Sequence, residues 1–184
     1  WLLAIFGVAG AVSGRNPFRC LVSMLPAYLT ALGTSSSAAT IPVTMSCAQK
    51  CGVSEPVSKF SVPLCATIHM PGSMMKITAC AITIMLLQGV PFSFGLILQF
   101  IMMLAITAVA APGVPGGVIM ASLGVLASVL GFDGDSQALM ITLYIVMDSF
   151  GTACNVMSDG AIALIVDKVS GKSGSALENE VDSK

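Results

Sequence analysis

The chain has 184 residues, of which 55% are hydrophobic and 9% charged, with a formal net charge of −1. Its mean hydropathy is +0.93. Soluble domains carry about a quarter charged residues, so this composition excludes a water-covered globule and points to a multi-pass membrane protein. The near-zero charge gives no footing for nucleic acid.

Trp1-Leu2-Leu3 lies in an apolar run without a Met or a charged lead-in, which reads as a start inside a longer protein. Residues 1–14 read as the end of a membrane helix, stopped at Ser13-Gly14-Arg15-Asn16-Pro17. Residues 15–50 hold two apolar legs around Thr34-Ser35-Ser36-Ser37. The second leg covers roughly 20 Å at 1.5 Å per residue, too short to cross a bilayer, so the pair reads as a first re-entrant hairpin. Residues 51–59 read as a polar, cytoplasmic connector.

One membrane helix is expected over residues 60–89, interrupted at Ile68-His69-Met70-Pro71-Gly72-Ser73. A Pro-Gly pair unwinds or kinks a helix. At membrane depth such backbone must face protein or a polar cavity. Residues 90–132 read as a second re-entrant hairpin, its tip at Ala110-Ala111-Pro112-Gly113-Val114-Pro115-Gly116-Gly117. Asp133-Gly134-Asp135 makes an outer turn, and residues 137–166 form a polar last membrane helix. Residues 167–184 read as a charged cytoplasmic tail with little structure of its own.

Two halves with corresponding Gly/Pro/Ser interruptions are the pattern of inverted-repeat transporters. Arg15, Arg19, Lys50 and Lys59 flank the first hairpin, and Lys168 and Lys172 follow the last helix. The positive-inside rule therefore places those connectors and the C-terminus in the cytoplasm, and the Asp133 turn outside.

The last helix carries the clearest chemistry. Asp148, Thr152, Asn155 and Asp159 fall at offsets of 4, 7 and 11, along one helical face. A carboxylate at mid-membrane costs roughly 2.5–3.5 kcal/mol on insertion scales. Two of them flanking an amide point to a bound cation or substrate ammonium rather than helix packing alone. The serines at 35–37 could hold a substrate carboxylate at a half-helix end, or form an ordinary turn. His69 is either a hydrogen-bonded core imidazole or a proton relay. Lys76 pairs with Asp148 or Asp159, meets an anionic substrate group, or reaches an interface. The six cysteines read as small buried hydrophobes, with Cys47 and Cys51 one turn apart as a conceivable metal pair.

These motifs resemble those of the glutamate transporter family, the dicarboxylate/amino acid:cation symporters, over residues 14–169. Ser35-Ser36-Ser37-Ala38-Ala39-Thr40-Ile41-Pro42-Val43-Thr44 looks like the first-hairpin serine motif, and Gly113-Val114-Pro115-Gly116 like the second tip. His69-Met70-Pro71-Gly72-Ser73 sits where the family usually has Asn-Met-Asp-Gly-Thr. Asp148, Thr152, Asn155 and Asp159 match the spacing of its final helix. The resemblance implies an all-α transport domain with two re-entrant helical hairpins and broken helices. It also implies a homotrimer, assembled through a scaffold outside this chain in the plasma (inner) membrane.

By position, it implies that Ser36, Ser37, Ser73, Thr152 and Asn155 bind the substrate's polar groups and that Asp148 receives its amino group. Backbone at Cys65 and His69, with Asn155 and Asp159, would bind one co-transported sodium ion, and backbone at Thr67 with the second tip another. Two departures bear on cargo. The family's arginine, which clamps an acidic side chain, falls at Gly151, and the acidic residue of a third sodium site falls at Pro71.

The expectation is therefore sodium-coupled symport of amino acids, leaning to small neutral ones because of Gly151. The alternative is a dicarboxylate or acidic amino acid symporter with Lys76 as anion contact. A channel-like or structural membrane subunit is the competing class. No Ser-His-acid or His-Glu-x-x-His constellation suggests an enzyme.

Overall fold

The computed structural model describes residues 1–181, with side chains through Gly171, and the described residues form helices and no strand. Helix α1 (Leu2–Ser13) ends at Gly14, whose φ of 72° is the left-handed cap that a residue without Cβ adopts cheaply. Asn16 then caps α2 (Pro17–Ser23) by accepting from the Phe18 and Arg19 amides. The apolar stretch after it is split at Met24, where Pro26 opens α3 (Leu25–Thr34) without an N–H to continue the ladder. Only Ser35 and Ser36 separate α3 from α4 (Ser37–Lys50).

Helix α5 (Glu55–Ile68) begins inside the segment expected to be a polar connector. Pro56 in its first turn is pre-set for a helical start. Ser54 is fixed by donating from its amide (3.0 Å) and hydroxyl (2.5 Å) to the Asp167 carboxylate. The helix breaks at His69 and Met70, and α6 (Pro71–Leu87) follows. Helices α7 (Phe94–Val109) and α8 (Gly117–Leu130) flank the Pro/Gly tip.

The polar helix expected over 137–166 is two elements, α9 (Gly134–Val146) and α10 (Asp148–Val181). They part at Met147, whose amide turns to the Tyr144 carbonyl, while the Gly151 amide reaches the Met147 carbonyl only at 3.4 Å. At the other end α10 runs on through most of the stretch expected to be an unstructured tail. The Asp167 contact with Ser54 anchors the first turn past Val166. Residues 182–184 of that expected tail lie outside the described residues.

Helix α10 is the hub, packed against α1, α3, α4, α5 and α6. One apolar cluster joins α6, α7, α8 and α9 through Ile84, Phe100, Leu126 and Met140. A second joins α10 to α1–α4 through Phe6, Met24, Ala48 and Met157. Large apolar side chains such as Phe18, Leu87, Phe94 and Val146 point outward, a surface suited to lipid rather than water. Two stretches are long and apolar enough to cross a bilayer, Glu55–Leu87 and Asp148–Gly171. Helices α1, α7 and α8 are apolar but shorter than a crossing requires.

Candidate functional site

Helix ends, rather than helix faces, build the polar centre. A cavity is lined by Ser37, Ser73, Val118 and Asp148, which stand in the first turns of α4, α6, α8 and α10. Each such end presents backbone N–H groups without an intrahelical partner and the positive pole of its dipole. The sequence makes these starts with Ser36, Pro71, Gly116 and Asp148, all residues that favour helix beginnings.

Both tips meet over this centre. The Gly113 carbonyl accepts from the Ser36 hydroxyl at 3.0 Å and from the Ala38 amide at 3.2 Å. A Cβ on Gly113 would lie 2.6 Å from the Ala66 carbonyl, so only glycine lets the second tip approach the end of α5. Ser35, with φ of 48°, is the one non-glycine residue at positive φ among those described, a backbone costing about 1–2 kcal/mol. Its hydroxyl is held by Ser149 at 2.7 Å, and its carbonyl is approached by the Thr152 hydroxyl at 3.5 Å.

Asp148 is buried and satisfied on both oxygens. Oδ1 accepts from Lys76 Nζ at 2.9 Å, and Oδ2 from the Gly116 amide at 2.9 Å. Lys76 is itself only 8% exposed, which excludes the reading that it reaches an interface. Its ammonium also sits 3.4 Å from the centroid of the Tyr144 ring, a cation–π contact. Gly151 makes room for it, since a Cβ there would stand 3.2 Å from Lys76 Nζ.

Asn155 joins the α6 start to α10. Its Oδ1 accepts from the Gly72 amide at 2.7 Å, capping α6, and its amide donates to Ser73 Oγ at 3.1 Å. One turn further, Asp159 is fully buried, and its Oδ1 lies 2.8 Å from His69 Nδ1. Thus His69 is hydrogen-bonded to Asp159, and Lys76 pairs with Asp148 alone. The Cys65 carbonyl accepts from the His69 amide. The Thr67 hydroxyl is exposed and donates back to the Leu64 carbonyl at 2.8 Å.

The structure gathers Ser37, Ser73, Asp148, Thr152 and Asn155 around one cavity and puts Ser36 on its rim. Cys65, His69 and Asp159 lie beyond it. The cavity offers only about 10 Å³, about one water's worth of room, so the tips are closed tightly over it. Cys47 stands apart from these groups, buried in the apolar cluster with Cys20 and Cys51. Among the described residues no group of three His, Cys, Asp or Glu side chains is placed to share a metal. Sequence reasoning missed Tyr144, although its position four residues before Asp148 puts both on one face of the helix expected over 137–166. It also missed the amides of Gly72 and Gly116, which carry no side-chain signal.

The model of the sodium:dicarboxylate symporter family matches residues 1–169. The chain is 36% identical over 159 residues to excitatory amino acid transporter 3 of Mus musculus, covering 86% of the chain and 30% of the relative. It is 34% identical over 160 residues to excitatory amino acid transporter 1 of Homo sapiens, covering 86% and 29%. An excitatory amino acid transporter of Caenorhabditis elegans is 33% identical over 153 residues, covering 83% and 30%. The chain therefore spans about 30% of the length of the curated relatives it matches. A match over almost the whole chain, on a polar centre built from two interrupted helix pairs and α10, places this membrane protein in the sodium:dicarboxylate symporter family.

Proposed function

We propose that the chain forms the substrate- and ion-binding part of a sodium-coupled secondary active transporter of carboxylate-bearing substrates. The observation that carries this reading is the closure of both tips over one acid. Gly113 is bonded to the first tip and Gly116 to Asp148. In this reading α3–α4 and α7–α8 are re-entrant hairpins, and opening either one exposes the cavity to one side of the membrane. The full transporter sits in the plasma (inner) membrane with its C-terminus cytoplasmic, and trimerises through segments outside this chain.

Substrate carboxylate is received by the α4 start, from Ser36 and Ser37, with Thr152, Asn155 and Ser73 fixing its remaining polar groups. Helix starts favour an anion at this position. Sodium is cargo, held by the Asp159 carboxylate, the Asn155 amide and the Cys65 and His69 carbonyls. A second ion lies between Thr67 backbone and the second tip. The donor set is oxygen throughout, the chemistry a hard monovalent cation prefers.

The lean toward small neutral amino acids rested on Gly151 and gains no support from the comparisons. The family name carries dicarboxylates, and the relatives' names excitatory amino acids. Lys76 supports the alternative, because its ammonium fills the space beside Gly151. We therefore take a dicarboxylate or an acidic amino acid as substrate.

The test is uptake of labelled succinate, aspartate, alanine and serine by proteoliposomes holding the full-length protein, with and without a sodium gradient. Saturable, gradient-driven uptake of an acidic solute is expected. Uptake indifferent to sodium would remove the coupling, and alanine as best substrate would restore the Gly151 reading. Conductance without saturable uptake would favour a channel.

A further inference from the structure

Among the residues lining the central cavity, Asp148 is the one carboxylate. A substrate bearing an α-ammonium group needs a buried anion to receive it, because an unpaired charge there is expensive. Asp148 is the only wall residue that can serve. Yet Lys76 Nζ holds its Oδ1 at 2.9 Å and the Gly116 amide holds its Oδ2 at 2.9 Å. The lysine's remaining contacts are the Tyr144 carbonyl at 3.5 Å and the Tyr144 ring at 3.4 Å. Both partners are nine-tenths buried.

The geometry points to Lys76 as a built-in ammonium that fills the amino-group position on Asp148, so that the site selects carboxylates lacking an α-amino group. This rests on the transporter reading above and narrows it to dicarboxylates.

Two effects drive the selection. Lys76 is tethered by its own backbone, so it competes for Asp148 at high effective concentration. A second ammonium brought beside it would face like-charge repulsion in a poorly screened interior. A dicarboxylate suffers neither effect. It meets the starts of four helices, which favour anions, and an Asp148 whose charge Lys76 already balances. Gly151 belongs to the same device, since a Cβ at that position would stand 3.2 Å from the ammonium and press on it.

Succinate and L-aspartate differ by the amino group alone, which makes them the probes. Their binding to the purified full-length protein is measured by calorimetry in sodium chloride. Succinate is expected to bind at least about tenfold more tightly than aspartate, the scale on which a mismatched polar group is rejected. In Lys76→Met, which frees Asp148, that ratio should fall by about tenfold or more toward aspartate. Aspartate binding as well as or better than succinate in the wild type overturns the inference, as does an unchanged ratio in Lys76→Met. If Lys76→Met does not fold, the wild-type comparison decides alone. Binding of neither probe overturns the inference even where sodium-driven uptake of another solute upholds the transporter. Preference for succinate without gradient-driven uptake keeps the role of Lys76 and removes the transporter reading.

Discussion

Two buried carboxylates of α10, Asp148 and Asp159, meet two basic side chains from the broken segment, and the pairs are different in kind. Lys76 and Asp148 form an ion pair between side chains 6% and 8% exposed. Asp159 is 1% exposed and faces His69, whose ring remains 19% exposed. A lysine brings its own charge to the pair, so Asp148 is balanced from within the chain. An imidazole supplies a hydrogen bond but a charge only when protonated. On the proposed function, an external cation completes Asp159, whereas Asp148 is already paired within the chain. Similar residues on one face of α10 would then be divided into a self-sufficient end and an end that an ion completes.

The largest effect is expected from the residue between the two pairs. A Cβ on Gly72 would run into the Gly151 carbonyl and come within 2.8 Å of Cys154 Cβ. Backbone blocks backbone there, so neither side can turn away. Gly72→Ala should force α6 off α10, loosening both pairs, and cost more than about 3 kcal/mol, beyond ordinary overpacking. Thermal melting of the full-length variant reads this directly, and a melt close to wild type would show that α6 shifts freely.

Next comes the pair that has no external substitute. Lys76→Met leaves Asp148 as an uncompensated buried charge, a change costing about 3–5 kcal/mol. Adding Asp148→Asn should recover a large part of that loss, giving a strongly non-additive cycle in melting measurements. If the losses simply add, the two side chains act independently and the self-sufficient end does not exist.

His69→Ala should cost less, about 1–3 kcal/mol, the price of a buried acceptor left without its partner. Its signature is the ion dependence. Sodium binding to the folded form would restore stability as its concentration rises, whereas choline would not. The corresponding rise in Lys76→Met should be no steeper than in wild type. Equal sodium sensitivity in the two variants would erase the distinction between the ends.

Much of this centre is written in short-range signals. Pro71-Gly72 marks the place where the helix stops, at His69 and Met70. The period of Asp148, Thr152, Asn155 and Asp159 places them on one face before any fold is known. Pairing is another matter, since Lys76 meets Asp148 across 72 residues and His69 meets Asp159 across 90. Such partners depend on how α6 docks on α10, which Gly72 and Gly151 decide through close backbone approach. Lys76 was accordingly readable as a buried charge with several destinations, and Tyr144 was not readable at all. Helix limits failed where tertiary contacts extend or cut a local pattern, as Asp167 does for the start of α5 and Met147 for the polar helix.

The smallest effect lies outside both stretches long and apolar enough to cross a membrane and serves as a reference for the buried acids. Asp133 begins α9 and accepts from the Ser136 amide at 2.9 Å and the Ser136 hydroxyl at 2.6 Å. Those hydrogen bonds hold its exposed carboxyl below the ordinary carboxylate range. A depressed value in the folded state means that the stabilisation is complete above the ordinary range and is lost as pH falls through the lowered one. Asp133→Ala should therefore lower the melting temperature slightly at neutral pH, and the gap from wild type should close in strong acid. Because the residue lies in the turn between α8 and α9, the succinate-to-aspartate preference should stay as in wild type. A shift in that preference would mean that this turn reports on the cavity, and that Asp148 and its partners are not the only elements that set it.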